Sequence, residues 1–114
     1  MARVLLGDFG AIVRLGLREV LEEGQLLVAE ETPATQILDR LVRSLPDAVV
    51  LDLDVAGSAD LAMRISQRFP SVTVIACSSK RPEMRIFPSF HHGESYVSEL
   101  TSVSLVEAVG QRSA

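Results

Sequence analysis

The chain has no Trp, one Tyr and four Phe, an aromatic share of only 4%. Proteins that grip single-stranded nucleic acid stack bases on aromatic platforms, and so few rings argue against one. Basic clusters are scarce too, since none exceeds Lys80-Arg81. With 11 basic against 15 acidic residues the net charge is −4, a poor match for a phosphate backbone. No direct contact with nucleic acid is expected; a DNA-binding role would need another domain. The lone Cys77 excludes an internal disulfide and suits a reducing compartment. No stretch approaches the roughly 18–20 consecutive apolar residues of a membrane span. The run Val4-Leu5-Leu6 near the amino terminus is too short for a signal peptide, and Asp8 interrupts it. A cytoplasmic protein without membrane partners is expected.

What the chain does have is apolar mass. Hydrophobic residues make up 47% of 114 positions, ample for one core without disulfide or metal. No low-complexity run or linker divides it, so residues 1–114 are expected to form one domain. Val4-Leu5-Leu6 reads as a short buried strand. From Ala11 to Glu23 the residues Val13, Leu17, Val20 and Leu21 recur at helical spacing, and Gly24 closes the segment. Leu26-Leu27-Val28-Ala29 is a second apolar run. Thr32 is expected to cap a helix with Pro33 in its first position; Ile37, Leu38, Leu41, Val42 and Leu45 form its stripe before Pro46.

Ala48-Val49-Val50-Leu51 is apolar on both faces, as a central parallel strand requires. It runs into Asp52-Leu53-Asp54 and a Gly57-Ser58 turn. Leu61, Ala62, Ile65 and Phe69 then mark a helix that stops at Pro70. Val72-Thr73-Val74-Ile75-Ala76 is a β-branched strand. Residues 78–93 carry Pro82, Pro88 and His91-His92-Gly93 and leave room for a broken helix at most. Ser95-Tyr96-Val97 reads as a fifth strand, and Ser102 as the cap of a last helix bearing Leu105, Val106 and Val109. Alternating strands and helices predict an α/β fold: a doubly wound, five-stranded parallel sheet with helices on both faces. Functional groups in such sheets gather beyond the carboxyl ends of the strands. Asp8, Asp52, Asp54 and Glu99 all fall there. Such acids either share a divalent cation, which takes one or two carboxylates, or simply solvate loop ends and caps.

Arg3-Val4-Leu5-Leu6-Gly7-Asp8, Val13-Arg14-Leu15-Gly16-Leu17 and Asp47-Ala48-Val49-Val50-Leu51-Asp52-Leu53 resemble response-regulator receiver domains of the CheY-like type. The LuxR/NarL-type subgroup is the most similar. Tyr96-Val97 and Leu105-Val106-Glu107-Ala108-Val109 extend the resemblance across essentially the whole chain. It implies Asp52 as phosphoacceptor and Asp8 as the first of two acids after the first strand. The second acid, a direct Mg²⁺ ligand in the family, is matched by Phe9. Ala76 falls where a Thr or Ser binds the phosphoryl group, Tyr96 on the aromatic switch position, and Glu99 where a Lys pairs with phosphate. Ser78, Ser79 or Lys80 could compensate if the loop after the fourth strand were shifted. Lys80-Arg81 otherwise reads as a solvated pair, and Cys77 as a small core residue.

Two functions follow. The first is an atypical, non-enzymatic receiver that regulates transcription without phosphorylation or cofactor, through protein contacts. Its partners would be a second copy of the chain and a DNA-binding effector domain, in cis or in trans. The association surface is expected around Ile86, Phe87 and Phe90 with Val106 and Val109. The second is a conventional two-component receiver, phosphorylated on Asp52 by a histidine kinase with Mg²⁺. A small ligand in the acidic crevice is a third option for which the sequence supplies no motif. His91-His92 lack the spaced partners of a metal site.

Overall fold

Long aliphatic runs with β-branched residues pair into a sheet because both their faces can be buried. In the computed structural model, which describes residues 2–7, 9–78, 80–90 and 94–110 (and not the side chains of residues 29, 30 and 34), six strands pair. They are β1 (Arg3–Leu6), β2 (Leu27–Glu31), β3 (Ala48–Asp52), β4 (Thr73–Cys77), β5 (Glu83–Phe87) and β6 (Tyr96–Glu99). Four α-helices accompany them: α1 (Ala11–Glu23), α2 (Ile37–Arg43), α3 (Ser58–Arg68) and α4 (Ser102–Gly110). The strand order is β2-β1-β3-β4-β5-β6.

The first four strands are parallel, as expected, with Asp52 opposite Cys77 at the end of the β3–β4 ladder. The rest corrects the expectation of five parallel strands. Residues 83–87 form no fourth helix, short or broken. They form β5, which runs antiparallel to both β4 and β6. The local reason is legible in retrospect. Glu83, Arg85 and Met84, Ile86 alternate between polar and apolar, and Met84, Ile86 and Phe87 are buried while Arg85 is exposed. A period of two cannot bury one face of a helix. Pro82 and Pro88 bracket the five residues and deny a helix room on either side.

The alternation distributes two cores. Val4, Leu6, Val50, Ile75, Met84 and Ile86 meet Leu21 of α1 and Leu105, Ala108 and Val109 of α4 on one face. Leu5, Val49, Leu51, Val74 and Phe87 meet Ile37 and Leu41 of α2 and Ala62 and Ile65 of α3 on the other. Two expected caps also change. A 3₁₀ turn, Ala34–Gln36, precedes α2, so Thr32 caps nothing; its N–H extends β2 to Leu6 O and its buried hydroxyl has no hydrogen-bond partner among the described residues. Thr101, not Ser102, caps α4: Ser104 N–H donates to Thr101 Oγ1 at 3.0 Å, and Thr101 N–H donates to Ser104 Oγ at 2.8 Å. This is a reciprocal capping box in which serine takes the place of the usual Glu.

The proposed association patch is dismantled by the same strand. Ile86 and Phe87 are 3% and 1% exposed and belong to the core, and Val109 is buried as well; of the five residues Val106 is half-buried and Phe90, at 56%, faces solvent. Truncating Phe87 to alanine should therefore cost about 3–5 kcal/mol in urea denaturation. Phe90→Ala should stay within about 0.5 kcal/mol, as an exposed position does. Equal effects would mean that both rings share one environment, contrary to this packing.

Candidate functional site at the carboxyl end of the sheet

Beyond β3 the ladder continues for one more bond, from Leu53 N–H to Cys77 O at 2.9 Å. The chain then turns: Val55 N–H donates to Asp52 O, and Gly57 adopts φ 83°, a left-handed conformation that suits glycine, before α3 begins. Asp52 is half-buried at the strand end, and its Oδ1 accepts the N–H of Asp54 at 3.0 Å. This side-chain bond to the backbone two residues on is an Asx turn, and it holds both carboxylates at one corner. From the neighbouring strand end, Ser78 Oγ donates to Asp54 Oδ1 at 3.0 Å. The same hydroxyl accepts Lys80 N–H and Arg81 N–H, each at 3.2 Å. Asp52, Asp54 and Ser78 thus form one hydrogen-bonded group where the resemblance locates a phosphorylation pocket.

The other sequence-selected residues divide. Asp8 and Ser79 lie outside the described residues, as do His91 and His92. Phe9 is 4% exposed and packs into the core on the α1–α4 face, so that position contributes an apolar ring and no ligand. Ala76 is fully buried inside β4, next to last in the strand. The first residue after the strand is Ser78, and it supplies the hydroxyl at the crevice that Ala76 lacks. Lys80 is exposed and joins the group through its N–H; Arg81 is exposed and turns to Glu83, with Nη2 3.9 Å from Oε2.

Glu99 is not part of this group. β5 lies between β4 and β6, so Glu99 closes a strand three intervals away from β3, about 14 Å at the ~4.8 Å spacing of strands. Its cross-strand partner is Glu83. Tyr96 is half-exposed, opposite Ile86. The place beside the end of β4 belongs to the Ser78–Glu83 turn, closed by Ser78 N–H to Glu83 O at 3.0 Å. Sequence reasoning missed that turn because it depends on β5.

Mg²⁺, the ion implied by the resemblance, fits the described residues poorly. It requires near-octahedral oxygen geometry and carboxylates free to ligate it. Asp52 and Asp54 each have one oxygen committed to the corner, and Phe9 offers none. Among the described residues no three His, Cys, Asp or Glu side chains are grouped as a metal centre needs.

Cys77, opposite Asp52, is buried, and burial pushes its thiol from 9.0 up to about 12, with the Asp52 carboxylate adding to the rise. A buried thiol beside a carboxylate is a core residue, not a nucleophile. The thiolate is disfavoured in the fold, so the native state binds the proton more tightly than the unfolded chain. Stability from this source is complete below pH 9 and is lost as pH climbs toward 12. Two outcomes are expected. A maleimide at pH 8 should label native Cys77 about a thousandfold more slowly than the urea-unfolded chain. Cys77→Ala should flatten the fall in stability above pH 9. Rapid native labelling would place the thiol in solvent.

No protein-family model matches the chain. It is 32% identical over 78 residues to protein-glutamate methylesterase/protein-glutamine glutaminase 1 of Anaeromyxobacter dehalogenans, a match covering 67% of this chain and 22% of that protein. It is 28% identical over 116 residues to protein CcdB of Bacillus subtilis, covering 97% of each. Among solved structures, the isolated REC domain of RcsB from Salmonella enterica serovar Typhimurium, in the presence of phosphomimetic BeF3⁻, superposes with a TM-score of 0.60. That match has 25% identity and covers 71% of this chain and 64% of the other. RcsB of the same organism bound to promoter rprA gives 0.59 at 25% identity, over 68% of this chain and 42% of that one. This chain therefore spans less than two thirds of either RcsB structure and about a fifth of the methylesterase. In fold and in sequence it resembles the receiver domains of NarL/LuxR-type response regulators, with a mixed six-stranded sheet in place of five parallel strands.

Proposed function

We propose that residues 1–114 form an atypical receiver domain that acts in transcription regulation through protein contacts, without phosphorylation of Asp52, and is not an enzyme. The observation that carries this reading is the make-up of the crevice. Phe9 turns a ligand position into core, and the lysine position has become Glu99 on a strand displaced by β5. A phosphorylated aspartate brings about two negative charges into the pocket. Two unit charges 4 Å apart interact by about 4 kcal/mol at an effective dielectric near 20. Without a metal and an opposed cation, that repulsion falls on Asp54 and on the oxygens around it. A two-state switch separated by a few kcal/mol cannot absorb such a cost. The output would pass to a DNA-binding effector domain, attached or separate, as the likeness to promoter-bound RcsB supports.

A homodimer remains part of the reading only on a surface other than Ile86, Phe87 and Phe90, two of which are buried. The conventional alternative has one specific observation in its favour: the Ser78 hydroxyl is in place beside Asp54. It would need a histidine kinase and Mg²⁺.

Two measurements separate these readings. Magnesium titration followed by amide NMR shifts should show no saturable site at Asp52 and Asp54 in the low-millimolar range. Incubation with acetyl phosphate and Mg²⁺ should leave the intact mass unchanged. A phosphoryl adduct that disappears in Asp52→Asn would overturn the phosphorylation-independent reading and install the conventional one.

A further inference from the structure

The sheet has two edges, β2 and β6, and the chain guards them unequally. An edge strand offers unpaired N–H and C=O groups to any other strand, and proteins blunt it with a bulge, a charge or a proline. β2 has the first two devices. Its register against β1 slips between Val4 and Leu5, which leaves one extra residue in β2. Arg14 and Arg18 both reach Glu31 at its end, each at 3.1 Å. β6 pairs with β5 without a slip and contains no proline, lysine or arginine. Its one charged residue, Glu99, comes last, and Tyr96 and Val97 stand 47% and 54% exposed on opposite faces.

The β5–β6 ladder fixes which backbone groups of that edge are free. Leu100 N–H donates to Pro82 O at 2.8 Å, so Leu100, Ser98 and Tyr96 turn their backbone groups toward β5. Those of Val97 and Glu99 turn outward. Glu99 O accepts the Ser104 hydroxyl at 2.7 Å. Val97 N–H, Val97 O and Glu99 N–H have no partner among the described residues.

The side chains carry two charges in the same condition. Ser95, Val97 and Glu99 share a face of the sheet with Arg85, which lies opposite Val97. Glu99 faces Glu83, a like charge, and no cation pairs with it among the described residues. Arg85 could reach either diagonal neighbour, Glu99 or Ser95. It takes Ser95, with Nη1 donating to Oγ at 3.4 Å, and has no carboxylate partner among the described residues. The edge thus displays a cation toward its start and an anion at its end.

A second β6, antiparallel to the first, satisfies both sets at once. With the two-fold axis between the two Val97 residues, each Val97 N–H donates to the Val97 O of the other copy. The same register sets Glu99 beside Ser95 of the second copy, with Glu99 N–H toward Ser95 O, and Tyr96 beside Ser98. Ser95 is the residue that holds Arg85, so the guanidinium of each copy comes next to Glu99 of the other. The two exposed Val97 side chains meet between these ion pairs. A strand from a different protein would have to bring the same cation and anion at the same spacing; a second copy brings them by symmetry. The seam is only a few residues long on each side, which places it at the weak end of specific association.

We propose that two copies of this chain join edge to edge, β6 against β6 and antiparallel, with Val97 on the axis and Arg85 of each copy against Glu99 of the other. This rests on the contact-based reading above and names its surface, which uses none of Ile86, Phe87 and Phe90. Sedimentation equilibrium of the whole chain should show monomer and dimer with a dissociation constant on the order of 100 μM. Arg85→Glu and Glu99→Arg, each alone, should weaken the dimer at least about tenfold, because two ion pairs turn from attraction to repulsion. An equimolar mixture of these two variants should recover the wild-type constant to within about threefold, since each supplies the charge that the other lacks. Val97→Pro removes an N–H that β5 does not use, so it should abolish association while the urea midpoint stays near that of the wild type. If that variant unfolds, the two charge reversals, both at exposed positions, decide alone. A chain that is monomeric at about 1 mM, a dimer that survives Val97→Pro, or a mixture no tighter than its components would overturn the proposal. A phosphoryl adduct on Asp52 would sink the phosphorylation-independent reading and leave these constants as they stand. A monomer would remove this surface and leave the state of Asp52 as it was.

Discussion

The two ladders of β5, to β4 on one side and to β6 on the other, decide what stands at the carboxyl end of the sheet. Every strand inserted into a sheet moves what lies beyond it by about 4.8 Å. Here the inserted strand brings the Ser78–Glu83 turn against the end of β4 and carries Glu99 outward with β6. The insertion is held by burial: Met84 and Ile86 join one core and Phe87 the other, each worth roughly 1.5–3 kcal/mol. Antiparallel pairing follows from the short connections, since parallel neighbours need a crossover of a dozen or more residues. Only residues 78–82 and 88–95 lie between these strands.

This strand takes the place of a helix, and the sheet records the exchange. On the α2–α3 face the outer part of the sheet carries Arg85 and its partner Val97, both exposed. A helix packed there would have to bury an arginine without a partner acid, which is costly. The chain instead leaves that surface wet, with Arg85 Nη1 donating to Ser95 Oγ at 3.4 Å.

How much of this was legible in the residues depends on which interactions local patterns can encode. The four parallel strands and α1, α3 and α4 were readable because each has a long apolar stripe or run with a clear terminator. Asp52 was placed at its strand end for the same reason. Residues 78–93 mislead because two prolines suggest a damaged helix, while the alternation of Glu83-Met84-Arg85-Ile86 has the period of a strand. Thr32 misled because a good capping residue before a proline was not followed directly by α-helix. The Asp54–Ser78 bond was beyond local reading, since it joins two loops whose approach depends on the β3–β4 register.

Phe9 connects the end of β1 to the α1–α4 pair. Its ring packs in the same core as Leu21 of α1 and Leu105 of α4. An ionised carboxylate there would need water or a cation at the margin of this core, and the helices on either side would respond to whether the charge was compensated. A phenyl ring removes that dependence. It adds apolar burial under α1 and α4. A phenyl ring in place of a carboxylate and added core under α1 and α4 are then one change with two effects. Phe9 thereby anchors the start of α1 in the core that it shares with α4.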